Sequence, residues 1–237
     1  MLPEEVHYVC AFWEGPRRYV KGSPIYLPYQ LKALSEIEHN LTHIWFVFNG
    51  ERTSTIEIPT HLRDTPVSVI YRKNIGLSYG ALSDIHAMGV TEGYYLFIED
   101  DNVPALDNFD QRLLDLMTPE CGWLCTLIAD SGFGRHAGIA TGLLRAACLD
   151  WIAMKSPTGR VQYSMTSDHY DAHAGQVGLS RAVLDTGYTI EDTSAHYRAS
   201  FWDNRGVTEH APQNTEALFL PVQALDVQSY RESLSEI

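Results

Sequence analysis

The chain has 237 residues, 45% of them hydrophobic and 20% charged, with 30 acidic side chains against 17 Lys and Arg and a net charge of −13. That length supports one large core, and an aromatic content of 11% with a mean hydropathy of −0.17 excludes a disordered chain. The acidic balance disfavours tight nonspecific binding to nucleic acid, which needs clustered Lys and Arg; basic groups gather only at Arg17, Arg18 and Lys21 and at Arg72 and Lys73. No apolar run approaches the ~18 residues of a membrane span, and the acidic residues 1–5 lack the order of a signal peptide. The expectation is a soluble, cytoplasmic, globular protein. Cys10, Cys121, Cys125 and Cys148 are too few for a disulfide scaffold and lack the paired spacing of a structural zinc site, so they are expected to be buried, reduced thiols.

In chain order, residues 6–12 (VHYVCAF) form a short β-rich run, and a loop with Gly, Pro and Ser follows through Pro24. From Leu27 the apolar positions Leu31 and Leu34 recur at helical spacing, with Pro28 in the first turn. Residues 43–48 (HIWFVF) predict a second strand closed by Asn49-Gly50, and residues 67–71 a third. Ser78 is placed to cap a helix with Ala81, Ile85 and Met88 on its inner face. Residues 94–98 (YYLFI) are nearly all apolar, as in a central strand covered on both faces. Asp107 is read as the cap of a helix through Phe109, Leu113, Leu116 and Met117, and residues 122–128 as a fifth strand. Leu143, Leu144, Ala147, Cys148, Trp151 and Ile152 make a helical stripe, and a last helix over residues 177–185 stops at Gly187. Beyond Tyr188 the pattern weakens, so residues 189–237 are expected to be a less regular extension, within one domain of 237 residues.

Strand–helix alternation predicts an α/β fold with a mainly parallel, twisted sheet and helices on both faces. Ligands of such sheets bind beyond the carboxyl ends of the strands, which directs attention to the loops after Phe12, Asn49, Tyr71 and Ile98. One of these loops is chemically distinctive. In YYLFIEDDNVP the apolar strand ends in Glu99, Asp100 and Asp101. Three adjacent acids repel one another and lose hydration where a strand leaves the core, and a divalent cation offsets that cost. Oxygen donors of this kind suit Mg²⁺ or Mn²⁺. The plainer alternative is a solvated acidic turn; the position at the end of the most apolar strand favours metal.

This segment resembles the Asp-x-Asp motif of nucleotide-sugar glycosyltransferases with the GT-A (Rossmann-like) fold, especially the family-2-like enzymes. The resemblance implies a metal that bridges the donor diphosphate, with Asp101 as the main ligand and Asp100 and Glu99 facing the ribose or donor sugar or supporting the site. Asn74, Gly76 and Ser78 are similar to the family's Asn-x-Gly turn, in which a glycine permits close backbone approach and a helix start offers N–H groups to an anion. Ser83 or Asp84 lies near the position of the family's later Asn on that helix. Ala11, Phe12, Trp13 and Glu14 match the place where such enzymes hold the base, and an aromatic there would stack on uracil or another base, the ordinary alternative being a core or lid aromatic. Residues 138–145 (GIATGLLR), with Gly142, resemble the small-residue segment lining a donor-sugar pocket before a helix; Gly132, Gly134, Gly138 and Gly142 would let a loop approach a sugar and would equally suit an ordinary flexible loop.

Asp168-His169-Tyr170-Asp171, ahead of the last helix, is similar to the family's acid-bearing loop, which implies a catalytic base at Asp171 or, second, Asp168. A base within reach of the acceptor hydroxyl lets attack and deprotonation coincide in an inverting transfer. His196 is a candidate third metal ligand, and Arg198 and Arg205 are candidates to meet the diphosphate from a C-terminal loop. The expected cofactors are thus Mn²⁺ or Mg²⁺ and a nucleotide sugar, a UDP-sugar first. The acceptor is a hydroxyl, on a glycan or small molecule in preference to a modified DNA base. Two alternatives remain at this stage: a sugar nucleotidyltransferase, and a nucleotide-sugar-binding module without catalysis. The sequence sets no oligomeric state.

Overall fold

A computed structural model describes residues 4–14, 26–132, 134–157, 172–203, 206–211 and 213–225. Its centre is an eight-stranded sheet. The strands are β1 (Val6–Phe12), β2 (His43–Asn49), β3 (His61–Leu62), β4 (Thr65–Arg72), β5 (Tyr94–Glu99), β7 (Cys121–Ser131), β8 (Gly134–Arg145) and β9 (Thr189–Asp192), in the order β3-β4-β2-β1-β5-β8-β7-β9. β4, β2, β1 and β5 pair in parallel, β8 runs against both of its neighbours, and β7 and β9 are parallel again. This is the mainly parallel α/β sheet that the alternation predicts.

Period-two burial of the strands divides the apolar interior in two. Tyr8, Cys10 and Phe12 of β1 face a core shared with helices α1 (Leu27–Glu36) and α3 (Phe109–Leu114). Val9 and Ala11 face the other, shared with α2 (Leu77–Ala87), α4 (Ala146–Lys155) and α5 (Ala172–Asp185). β5 contributes Leu96 and Ile98 to the first and Tyr95 and Phe97 to the second, so it is apolar throughout because both faces are covered. Pro28 sits in the first turn of α1, α5 ends before Gly187, and all four cysteines are buried free thiols.

Several local readings require correction. Leu143 and Leu144 belong to β8, and the helix begins only at Ala146. A strand with both faces buried shows no alternation, so LLRAACL reads equally as helix. Met88 is the C-cap of α2 and 59% exposed, so it is outside the inner face. Ser78 makes no capping bond; α2 opens on Gly76 and Leu77, both left-handed at φ 76° and 52°. Asn108, at φ 56°, occupies the cap position of α3, while Asp107 accepts the Glu38 amide at 2.8 Å.

The segment after Tyr188 is more regular than expected. It adds β9 to the main sheet edge, then a hairpin of β10 (Ala199–Asp203) and β11 (Gly206–His210). Finally β12 (Phe219–Pro221) pairs antiparallel with β6 (Asn102–Pro104), immediately beyond the acidic triplet. Short strands paired to distant segments carry little periodicity of their own, which is why the pattern hides them. Among the described residues no helix is long and apolar enough to cross a membrane.

Candidate active site

The parallel register brings the carboxyl ends of β1, β2, β4 and β5 to one edge of the sheet. There Ala11 lies opposite Glu99, and the half-buried Glu99, Asp100 and Asp101 leave β5 as a tight turn into β6. The turn is tied on several sides. Trp13 donates its amide to Asp100 Oδ2 at 3.1 Å, and Asn102 Nδ2 donates to Asp101 Oδ1 at 2.9 Å. The Asp101 carbonyl accepts the Val222 amide at 2.8 Å from the C-terminal segment. Buried Gln30 of α1 donates to the Asp100 and Asn102 carbonyls at 3.2 and 2.5 Å and accepts the Tyr8 hydroxyl at 2.5 Å.

Electrostatics of the turn match its chemistry. Burial, then the charges of Asp101 and Asp100, push the Glu99 carboxyl up to about 8. Burial and the same two aspartates push the Cys10 thiol up as well. Carboxylate oxygens are the donors that Mg²⁺ or Mn²⁺ take, and Asp101 and Asp100 are the residues that could hold such an ion. His196 does not join them: it is exposed in the turn after β9, and among the described residues no three His, Cys, Asp or Glu side chains are grouped to share an ion.

The adjoining loops are built from Glu14 and Arg72. The Glu14 carboxylate accepts the Thr53 and Ser54 amides at 2.6 and 2.7 Å and the Ser54 hydroxyl at 2.6 Å, tying the β1 loop to the β2 loop. Burial raises its pKa, but these Ser54 and Thr53 bonds and the Arg52 charge outweigh that and hold it below the usual range. Arg72, at the end of β4, pairs with Asp84 at 2.6 Å, reaches Asn49 Oδ1 and donates to the Ile75 carbonyl at 2.7 Å. It thereby fixes the Asn74–Gly76 turn, where Asn74 Oδ1 is buried with no hydrogen-bond partner among the described residues.

Several expected site residues have packing or partners of their own. Phe12 is 1% exposed and stacked on Phe48 at 5.1 Å between ring centroids, with Tyr71 stacked beyond, so its face is closed to a base. Ala11 is a core residue, and the Trp13 amide donates to Asp100 Oδ2. Asp84 is engaged by Arg72. Gly142 lies inside the sheet opposite Phe97 and Cys125, where a Cβ would overlap the Leu124 carbonyl; close strand packing accounts for it, not a sugar-lining loop. Arg198 pairs with Glu209 at 3.4 Å. Asp168, Asp171 and Arg205 lie outside the described residues. Gln30, Tyr8 and Arg72 went unrecognised in the sequence, although Gln30 is marked by its place in the apolar stripe Leu27, Gln30, Leu34.

The fold is shared with a solved protein described as a glucose-1-phosphate thymidylyltransferase from Bacillus anthracis, in complex with sucrose. The TM-score is 0.50 at 9% identity, covering 98% of this chain and 96% of that one. A 4-diphosphocytidyl-2C-methyl-D-erythritol synthase is similar at TM-score 0.43 and 15% identity, over 81% of this chain and 89% of that one. The apo-form glycosyltransferase GlyE of Streptococcus pneumoniae TIGR4 is similar at TM-score 0.43 and 14% identity, over 94% of this chain and 55% of that one. No protein-family model and no curated protein matches the sequence. The first of these structures defines the class of fold, a Rossmann-like α/β sheet, and identity this low carries the fold alone.

Proposed function

We propose that the chain is a metal-dependent glycosyltransferase that moves a sugar from a nucleotide-sugar donor, a UDP-sugar first, to a hydroxyl acceptor. The observation that carries this reading is the turn of Glu99, Asp100 and Asp101 at the carboxyl end of β5, tethered to the β1 loop through the Trp13 amide. Bound Mn²⁺ or Mg²⁺ supplies charge stabilisation for the leaving diphosphate. Asp101 and Asp100 hold that charge in place. The Asn74–Gly76 turn and the α2 N-terminus, braced by Arg72, present backbone N–H groups to phosphate oxygens. By the sequence resemblance, Asp171 (or Asp168) accepts the acceptor's proton as its oxygen bonds to the anomeric carbon and the bond to the diphosphate breaks.

The fold held in common with a thymidylyltransferase favours a second reading, sugar nucleotidyl transfer. Product analysis separates the two. With UDP-sugars and Mn²⁺ the first predicts metal-dependent release of UDP, reduced at least about a hundredfold by Asp101→Asn in a protein that still folds. Undiminished turnover in that variant or in excess chelator refutes the metal role. Pyrophosphate release from a nucleoside triphosphate and a sugar phosphate establishes the second reading, and nucleotide binding without turnover under any metal identifies a binding module.

A further inference from the structure

Three successive carbonyls in the acidic turn, those of Asp100, Asp101 and Asn102, are each bonded to a distant element. The Asp101 carbonyl takes the Val222 amide at 2.8 Å. The other two both take Nε2 of Gln30, at 3.2 and 2.5 Å, across 70 and 72 residues of sequence. Gln30 is 0% exposed, on a helix that otherwise turns Leu27, Tyr29, Ala33 and Leu34 inward. A buried amide among those residues costs desolvation unless its groups are paired. Here both Nε2 hydrogens are used, and Oε1 accepts the hydroxyl of Tyr8, itself 0% exposed, at 2.5 Å.

The chemistry leaves one orientation for this amide. Turned over, Oε1 would face two carbonyl oxygens, none of which can donate. The Tyr8 hydroxyl therefore donates to Oε1 and keeps the NH₂ group directed at the turn. The Asp100 carbonyl lies in the peptide plane between Asp100 and Asp101, so Gln30 fixes the one plane that both aspartates share. Through the Asn102 carbonyl it anchors the chain just beyond them, while Val222 holds the plane between Asp101 and Asn102. The shared plane sets where the side chains of Asp100 and Asp101 emerge. We infer that Gln30, locked by Tyr8, is a positioning residue that sets the geometry of the Asp100–Asp101 carboxylate pair. This rests on the metal-site reading of that pair. Gln30 acts through the turn and touches neither metal nor donor.

The test compares Gln30→Met, which keeps the volume and removes both donors, with Tyr8→Phe, which removes only the lock. Leu34→Ala is the control, since it opens the same buried helix face without touching the turn. Two measurements are made well below each variant's unfolding temperature: Mn²⁺ affinity with UDP present, and hydrogen exchange at the Trp13 and Val222 amides. Losing hydrogen bonds to two enclosed carbonyls predicts that Gln30→Met weakens Mn²⁺ binding by about tenfold and speeds both exchanges by at least about tenfold. Tyr8→Phe gives a smaller loss in the same direction. Leu34→Ala lowers the unfolding temperature and leaves both readouts at the wild-type value. Equal losses in Leu34→Ala, or unchanged exchange in Gln30→Met, overturn the positioning role. If wild type and Asp101→Asn bind Mn²⁺ alike, the metal reading fails instead, and exchange still decides whether Gln30 holds the turn.

Discussion

Replacing Gly80 by Ala tests how the turn before α2 is built. Gly80 lies in the first turns of α2, where Ala for Gly ordinarily stabilises a helix by about 0.8–1 kcal/mol. Here the added Cβ would overlap the Ile75 carbonyl oxygen and the Arg72 guanidinium, with Nη1 only 2.8 Å away. The guanidinium can swing aside, but it then gives up bonds to Asp84 and the Ile75 carbonyl, each a charge-assisted bond of about 1.5–3 kcal/mol. The Ile75 carbonyl is backbone and moves only with the turn, an overpacking cost of about 1–3 kcal/mol. With the helix gain subtracted, these costs sum to a destabilisation of at least about 3 kcal/mol, at about 2–4 °C in Tm per kcal/mol for a chain of this size. Urea unfolding of wild type, Gly80→Ala, Arg72→Met and the double variant measures it. In the Arg72→Met background the Gly80→Ala cost should shrink, because only the carbonyl clash is left. A Gly80→Ala protein more stable than wild type by about 1 kcal/mol would refute the account of Arg72 as the brace.

Two further outcomes follow from positions away from the acidic turn. Gly142→Ala places a Cβ against the Leu124 carbonyl and 2.8 Å from the Cys125 Cα, both backbone of the adjacent strand, so a loss of at least about 3 kcal/mol is expected; a wild-type Tm by circular dichroism contradicts the packing assignment. His39 has its pKa lowered by burial, which outweighs its bond to the Leu34 carbonyl at 3.1 Å and the Asp110 charge. The unfolded chain therefore binds the proton first as pH falls through about 6.5, and the wild type should lose stability relative to His39→Gln between about pH 7.5 and 5.5. A constant difference across that range in chemical unfolding would show that the ring is not held neutral.

The sequence is most legible where one physical demand dominates. β1, β2 and β5 are recognisable because covered strands must be continuously apolar, and the acids after Ile98 stand out against that run. β8 is misread for the same reason: buried on both faces, its LLR segment has no period to distinguish it from the helix that follows. The site is legible only to the extent that a residue's role is local. Phe12 follows a strand like a base-stacking aromatic, yet the register β1–β2–β4 sets it against Phe48 and leaves the exposed end of the stack at Tyr71. Asp84 and Arg72 look like independent charges until a 2.6 Å contact joins them. Gln30 and Val222 act on a turn 70 and 121 residues away along the chain, and no local pattern encodes such a pairing.

The pairing of β12 with β6 has a consequence for the order in which the molecule is assembled. β1, α1 and β5 are all synthesised within the first 99 residues, so Gln30 can engage the turn as soon as residue 102 is free of the ribosome. The Val222 tether has to wait for 120 more residues. During that interval the carbonyl of Asp101 and the edge of β6 are open to solvent, and a growing chain holds its acids on a half-fastened turn. The Asp101 carbonyl can therefore be closed off only once the segment that carries Val222 has been made.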